Sequence, residues 1–245
     1  MKENKYDDAA FFAAYRQFPR SVDGLKAAGE WHDFQKLLPD FTNKRVLDVG
    51  CGFGWHCRYA ADHGATSVLG IDLSEKMLQV AAEKTTNPKI SYQRLAMEEM
   101  NFPANCFDVV ISSLAFHYTP DFQAVCQQLN HCLAPSGQFV FSVEHPVFTA
   151  EGHQDWFYDA DGKPEYWPVD HYFQEGQRDA VFLGQHVTKY HRTLTTYLNT
   201  LLQTGFTITN IVEPTPPQEL LASVPGMQDE LRRPMMLLVA AQKIN

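Results

Sequence analysis

Short, unbroken apolar runs alternate along the 245-residue chain with stretches in which apolar residues recur every three to four positions. The first rhythm fits strands buried on both faces; the second fits helices that bury one face. Residues 1–40 show only the helical spacing, with Phe11, Phe12 and Tyr15, then Trp31, Phe34, Leu37 and Leu38, until Pro39-Asp40 breaks it. Arg45-Val46-Leu47-Asp48-Val49 reads as a buried strand that stops at glycines, 55–63 as a helix, and Ser67-Val68-Leu69-Gly70-Ile71 as a second strand. Ser74 is placed to cap a helix through about Lys84, since its hydroxyl can accept a first-turn N–H. Strands at Ile90–Gln93 and Phe107–Ser112, a helix over about 121–133 and a strand at Gln138–Val143 continue the alternation. After Pro146 the rhythm fails for some 45 residues, then resumes with a helix near 193–204 and strands at Phe206–Val212 and Met235–Ala241. Strands alternating with helices imply parallel pairing through helical crossovers. The expected architecture is an open, doubly wound α/β sheet with an insertion before its last helix.

Composition leaves this picture intact. With 44% hydrophobic and 20% charged residues, the chain is neither disordered, collagenous nor a coiled coil. A net charge of −9 disfavours a polynucleotide partner, because phosphate binding needs a basic footprint. The start, MKENKYDDAAFFAAY, has no apolar run of the signal-peptide kind, and Met235–Ala241 is too short to cross a bilayer. Five cysteines without a Cys-x-x-Cys pair, and ten histidines without a His-x-x-x-His face, support neither a disulfide framework nor a metal site. The expectation is a cytoplasmic protein with reduced thiols, no metal and no membrane, as monomer or homodimer.

Chemistry enters at Asp48-Val49-Gly50-Cys51-Gly52-Phe53-Gly54, where strand passes into helix. Glycines there let backbone turn sharply and approach a ligand without a Cβ in the way. In an open parallel sheet, ligands lie outside the carboxyl ends of the strands. The dinucleotide fingerprint Gly-x-Gly-x-x-Gly is not met, since the third glycine falls one position early and Trp55 follows. Asp48 would also repel a pyrophosphate, whereas an acid suits a cationic ligand such as S-adenosyl-L-methionine, with its sulfonium and ammonium. Asp72 ends the second strand, 22 residues after Gly50, where a carboxylate can accept both ribose hydroxyls.

These residues resemble the class I S-adenosylmethionine-dependent methyltransferases, in the broad small-molecule, type 11-like group. Val46 to Gly54 is similar to the family's first motif and Gly70-Ile71-Asp72-Leu73-Ser74 to its second. Phe107 to Ser113 with Leu114-Ala115-Phe116-His117-Tyr118 resembles its fourth strand and loop, and Leu133 to Gly137 with Phe139 to Val143 its fifth. Pro19-Arg20-Ser21, Ser142-Val143-Glu144-His145-Pro146 and His191-Arg192-Thr193 extend the likeness to a bacterial subgroup over nearly the whole chain. The resemblance implies a Rossmann-like sheet of seven mostly parallel strands with an antiparallel last strand. It divides one domain into a helical cap (1–40), a cofactor-binding core (41–145), a lid insertion (146–190) and a C-terminal part of the sheet (191–245).

The resemblance also implies roles. Asp48, Gly50, Cys51, Gly52 and Gly54 hold the methionyl part, Asp72 the ribose, and Leu73 and Met77 flank the adenine, with Ser113 at the end of the fourth strand. The usual Asp-Ala-Glu after the third strand reads Ala96-Met97-Glu98, so Glu98 or the backbone at Met97 must meet the adenine amine. Tyr15, Arg16 and Arg20 of the cap are placed to meet the cofactor carboxylate, Arg by a bidentate pair.

Methyl transfer is an in-line displacement in which the protein positions two reactants. If the acceptor must lose a proton, His117 beyond the fourth strand, or Glu144 and His145 beyond the fifth, are the candidate bases. The alternative is that His145 and Glu144 hold the lid and His117 packs beside the cofactor. The stretch 146–190 carries ten aromatic residues, from Phe148 and Trp156 to Phe182 and Tyr190, and is expected to wall a partly apolar acceptor site, or else to form a minor cluster or dimer surface. Certain methyltransferases of exocyclic amines carry Asn/Asp-Pro-Pro-Tyr after the fourth strand; that place here reads Ser113-Leu114-Ala115-Phe116, which argues against adenine and glutamine amide acceptors. The reading is a methyltransferase acting on an O, N or C atom of a small molecule. Its rivals are an NAD-linked oxidoreductase, an inactive cofactor-binding protein and an RNA methyltransferase.

Overall fold

The computed structural model describes residues 4–244. Helices α1 (Ala9–Gln17), α2 (Pro19–Asp23) and α3 (Trp31–Leu37) precede strand β1 (Arg45–Val49). Then come α4 (Trp55–Asp62), β2 (Ser67–Asp72), α5 (Glu75–Glu83), β3 (Ile90–Arg94) and β4 (Phe107–Ser113). Next are α6 (Phe122–Cys132), β5 (Leu133–Glu144) and the one-turn α7 (Pro146–Thr149). Two hairpins follow, β6 (Phe157–Tyr158) with β7 (Pro164–Tyr166), and β8 (Gly176–Phe182) with β9 (Gln185–His191). The chain closes with α8 (Leu194–Gln203), β10 (Phe206–Val212), α9 (Gln218–Ser223) and β11 (Met236–Lys243).

Seven strands form one sheet in the order β10-β11-β5-β4-β1-β2-β3. β1 to β5 pair in parallel, and β11 runs antiparallel between β5 and β10. Successive side chains point to opposite faces, so each apolar run feeds two cores. Leu47, Val110, Phe139 and Val239 meet α6 and α8 through Leu129 and Leu201. Val46, Val109, Val140 and Leu238 meet α3 and α4 through Phe34 and Ala60. A smaller cluster, in which Tyr6, Phe12 and Tyr15 pack on Phe53, Met77 and Val80, lays the N-terminal segment over the carboxyl ends of β1 and β2.

The elements expected from the pattern are present, and the last strand is antiparallel, as the resemblance implies. The insertion is where the expectation of irregular chain fails, because β8 and β9 pair over seven residues each. Their two-residue loop, Leu183-Gly184, has positive φ at both positions (51° and 72°), the twist that suits a tight hairpin. Leucine is an uncommon residue there, so the usual Asn-Gly signal is missing.

Ser74 caps α5 as expected, its Oγ accepting from Met77 N at 3.1 Å. The same hydroxyl donates to Asp7 Oδ1 at 2.6 Å, and Lys76 N donates to that oxygen at 3.2 Å, so one cap also ties down the N-terminal segment. Ser74→Ala is expected to lower stability by about 1–2 kcal/mol, read as a lower urea midpoint at unchanged slope. An unchanged midpoint would show that the cap does not hold the segment.

Candidate active site

The carboxyl ends of β1 to β5 open into one cavity of about 510 Å³. Followed along the sheet, its floor runs from Met97 and Glu98 after β3, past Asp72 and Leu73, to Gly50, Cys51 and Gly52 after β1. It continues through Ser113, Leu114, Ala115 and His117 after β4 to Glu144 after β5 and Met235-Met236 at β11. The N-terminal segment roofs it with Tyr6, Tyr15, Phe18 and Arg20, and the β8–β9 hairpin contributes Phe182, Lys189 and Tyr190.

The glycine loop is built by three positive φ angles, 72° at Gly50, 51° at Gly52 and 70° at Gly54. Packing demands two of these glycines: a Cβ on Gly50 would lie 2.4 Å from the Ala115 Cβ, and one on Gly54 2.1 Å from the Tyr92 hydroxyl. Only at Gly52 would a Cβ meet no protein atom within 4 Å, so this is where the loop leaves room for a ligand. Gly50 N and Cys51 N both donate to Ile71 O at 2.9 Å, which locks the loop to β2.

Two acids flank this loop. Asp72 accepts from Gly52 N and Ser74 N at 2.9 Å each, and burial nonetheless holds its pKa above the ordinary value. Asp48 lies beneath the loop: one oxygen accepts from Cys57 Sγ at 3.1 Å, and the other, Oδ1, is buried with no partner. Burial raises its pKa to about 7, helped by the nearby charge of Asp72. A carboxylate so placed gains most from a cation brought to the loop.

At the other end, Glu144 and Lys189 are paired at 2.5 Å. Gln154 closes the set, donating to the second Glu144 oxygen at 2.7 Å and accepting from Lys189 at 2.8 Å. Burial is the largest influence and opposes ionisation of Glu144, but the Lys189 ammonium together with the other groups around it, Gln154 among them, holds the carboxyl below its ordinary pKa. His117, 2% exposed, accepts at Nδ1 from Glu144 N at 3.5 Å. Burial pulls its pKa down to about 4, so the ring is neutral at neutral pH.

The sequence profile of the family described as methyltransferase domain matches residues 47–141. A solved Listeria monocytogenes structure, described as an S-adenosylmethionine-dependent methyltransferase, is 56% identical, covers 91% of this chain and 100% of its own, and superposes with a TM-score of 0.86. One of the same description from Mesorhizobium loti is 42% identical over 90% of this chain and 100% of its own, with a TM-score of 0.83. This chain belongs to the S-adenosylmethionine-dependent methyltransferases. An uncharacterised protein of Haemophilus influenzae is also similar, 32% identical over 99% of this chain and 98% of its own. The cofactor is S-adenosylmethionine, and the residues present fit it. The opening at Gly52 gives it room, and the partnerless oxygen of Asp48 suits its positive charges.

Most of the residues singled out in the sequence line this cavity; Asp48, Gly54 and His145 do not. Asp48 and Gly54 lie in the packing behind the loop. His145 is the larger correction. Its Nδ1 accepts from Val147 N at 3.0 Å, capping α7, and its Nε2 lies 2.9 Å from Glu213. It is therefore an anchor for the chain leaving β5 and is not placed to take a proton in the cavity. Arg16 also falls outside, over the Phe12 ring.

The insertion's aromatics divide as well. Phe182 and Tyr190 reach the cavity, but Trp167, Phe148 and Trp156 stack around the Arg233 guanidinium at 4.2, 4.8 and 5.3 Å, behind it. Two residues with polar roles were not foreseen. Lys189 shares the buried face of β9 with Val187 and His191, and that alternation is the signal that could have found it. Arg192 donates to the carbonyls of Phe116 and Thr119 and so holds the turn that carries His117.

Lys189→Met leaves Glu144 buried without its cation, and is expected to lower stability by about 3–5 kcal/mol near neutral pH. In the wild type the lowered Glu144 pKa contributes stability that is present above the ordinary value of 4.5 and lost as pH falls through the folded value. In the variant the shift reverses, so its deficit should shrink as pH falls from about 7 towards about 4.5. Urea titrations at the two ends of that range check this; a deficit independent of pH would contradict the pairing.

Proposed function

We propose that the protein transfers the methyl group of S-adenosylmethionine to a small, partly apolar molecule held beside the cofactor. The observation that carries this reading is the enclosure of the cavity: one roofed space of about 510 Å³ runs from the adenine end at Met97 to Glu144 and Lys189. A net charge of −9 does not attract a polyanion.

In this assignment Asp72 accepts from the ribose hydroxyls, and the Gly50-Cys51-Gly52 backbone carries the methionyl part above the Asp48 charge. Leu73 and Met77 flank the adenine, with Met97 and Glu98 at its edge and Ser113 beside the loop. Tyr15 and Arg20 face the cofactor carboxylate from the roof. Arg20 is itself held by the buried Glu30, which fixes where its guanidinium sits. The segment before residue 41 thus acts as a cap, and the β8–β9 hairpin within the insertion as a lid. His117, Glu144 and Lys189 face the acceptor.

The bound cofactor supplies a sulfonium methyl for in-line displacement. The chain's part is to orient the acceptor and exclude water, and orientation of two reactants can account for about 7–11 kcal/mol of a barrier. Most lining residues from Gly52 to Glu144 stand on a strand end or the turn that follows it, and Trp55, His56 and Met77 on the first turns of α4 and α5, which gives the precision such alignment needs.

Asp72→Asn is expected to weaken S-adenosylhomocysteine binding by about tenfold to 100-fold, corresponding to about 1–3 kcal/mol, since one ionised acceptor is lost. Calorimetry reads that change. With methyl-labelled cofactor, label should enter the low-molecular-weight fraction of a cell extract, and less of it with the variant. Label entering RNA, in a salt-sensitive manner, would contradict the small-acceptor reading.

A further inference from the structure

The acceptor end offers hydrogen-bond donors, and its carboxylate and imidazole acceptors are already engaged. His145 lies outside the cavity, and both oxygens of Glu144 are engaged by Lys189 and Gln154. His117 accepts from Glu144 N at Nδ1, and a neutral imidazole that accepts at one nitrogen carries its proton on the other. The charges around that ring are Glu144, which favours its protonation, and Lys189 and Arg192, which oppose it together with burial. His117 therefore presents Nε2–H, and it lines the same cavity as the Lys189 ammonium. Among the described residues, no carboxylate or imidazole lining this end has an unengaged acceptor atom. An ammonium acceptor would have to lose a proton here, and would face both Lys189 and the sulfonium.

Building on the methyltransferase reading, we propose that the acceptor enters as a carboxylate on a small apolar body and is methylated on oxygen. The Nε2–H of His117 and the ammonium of Lys189 hold one carboxylate oxygen. The other attacks the methyl carbon: a C–O bond forms, the C–S bond breaks, and its electron pair stays on sulfur. The carboxylate charge cancels the sulfonium charge, giving a neutral methyl ester and a thioether, and no proton moves. Phe182, Met235 and Met236 provide the apolar wall for the rest of the molecule.

The test uses the protein saturated with S-adenosylhomocysteine, titrated with benzoate and with benzylamine, which share a ring and differ in charge. Benzoate is expected to bind and benzylamine not to. With methyl-labelled cofactor, a panel of aryl and alkyl carboxylic acids should include a substrate whose product releases labelled methanol in base. On that substrate His117→Gln, which keeps an N–H donor, should stay within about fivefold of wild-type kcat/KM, while His117→Phe should lose about 100-fold. Both variants should bind S-adenosylhomocysteine as the wild type does. Equal losses in the two variants would make His117 a base and overturn the proposal. Binding of benzylamine in place of benzoate, a base-stable methylated amine, or no binding and no turnover across the acids would overturn it as well. Failure of the wild type to bind S-adenosylhomocysteine would instead strike the methyltransferase reading on which the proposal rests.

Discussion

The site depends on β1 being paired in parallel on both sides, with β2 against one edge and β4 against the other. Crossovers leave such a strand in opposite directions, and the crevice that opens at its carboxyl end is where an α/β sheet receives a ligand. Here the crevice is fixed by short contacts. Ile71 O holds the backbone of Gly50 and Cys51, and Ser112 Oγ donates to Val49 O at 2.7 Å. Gly50 has no Cβ because Ala115 of the next loop occupies that space. The glycine loop assigned to the cofactor is therefore set by the same packing that joins three strands.

A second constraint is electrostatic. Lys189 is 2% exposed, and desolvating an ammonium costs several kcal/mol unless a partner compensates. Glu144 supplies the charge and Gln154 a second acceptor, which leaves one of the three ammonium N–H groups for the cavity. This binds the β8–β9 hairpin to the end of β5, so the insertion is joined to the sheet by a buried polar set as well as by apolar contact. The same pairing engages the carboxylate and, through the Glu144 backbone, orients His117. Stability and chemistry at the acceptor end thus rest on one interaction.

How much of this was legible in the sequence follows from how local each signal is. The strands, the glycine loop, Asp72 and the Ser74 cap are written in residues close together, and the structure contains each of them. The direction in which a chain leaves a strand is not local. Glu144 and His145 are adjacent, yet Pro146 opens α7 at once and His145 turns to cap it, away from the cavity. Lys189 lies between Thr188 and Tyr190 in a polar-looking stretch, and only its partner 45 residues away makes its burial tenable. The aromatic count of the insertion was a real signal of ordered packing, but Arg233 from the far end of the chain gathers three of the ten rings, Phe148, Trp156 and Trp167, away from the site. Gly54 read as ligand-facing because spacing alone does not separate a ligand from a neighbouring Tyr92.

The most direct measurement is a crystal structure with S-adenosylhomocysteine. The account predicts the ribose hydroxyls on Asp72, the amino-acid part over Gly52 with its ammonium nearest Asp48, and the sulfur facing His117 and Lys189. A ligand bound elsewhere, or one whose ribose does not touch Asp72, would contradict it.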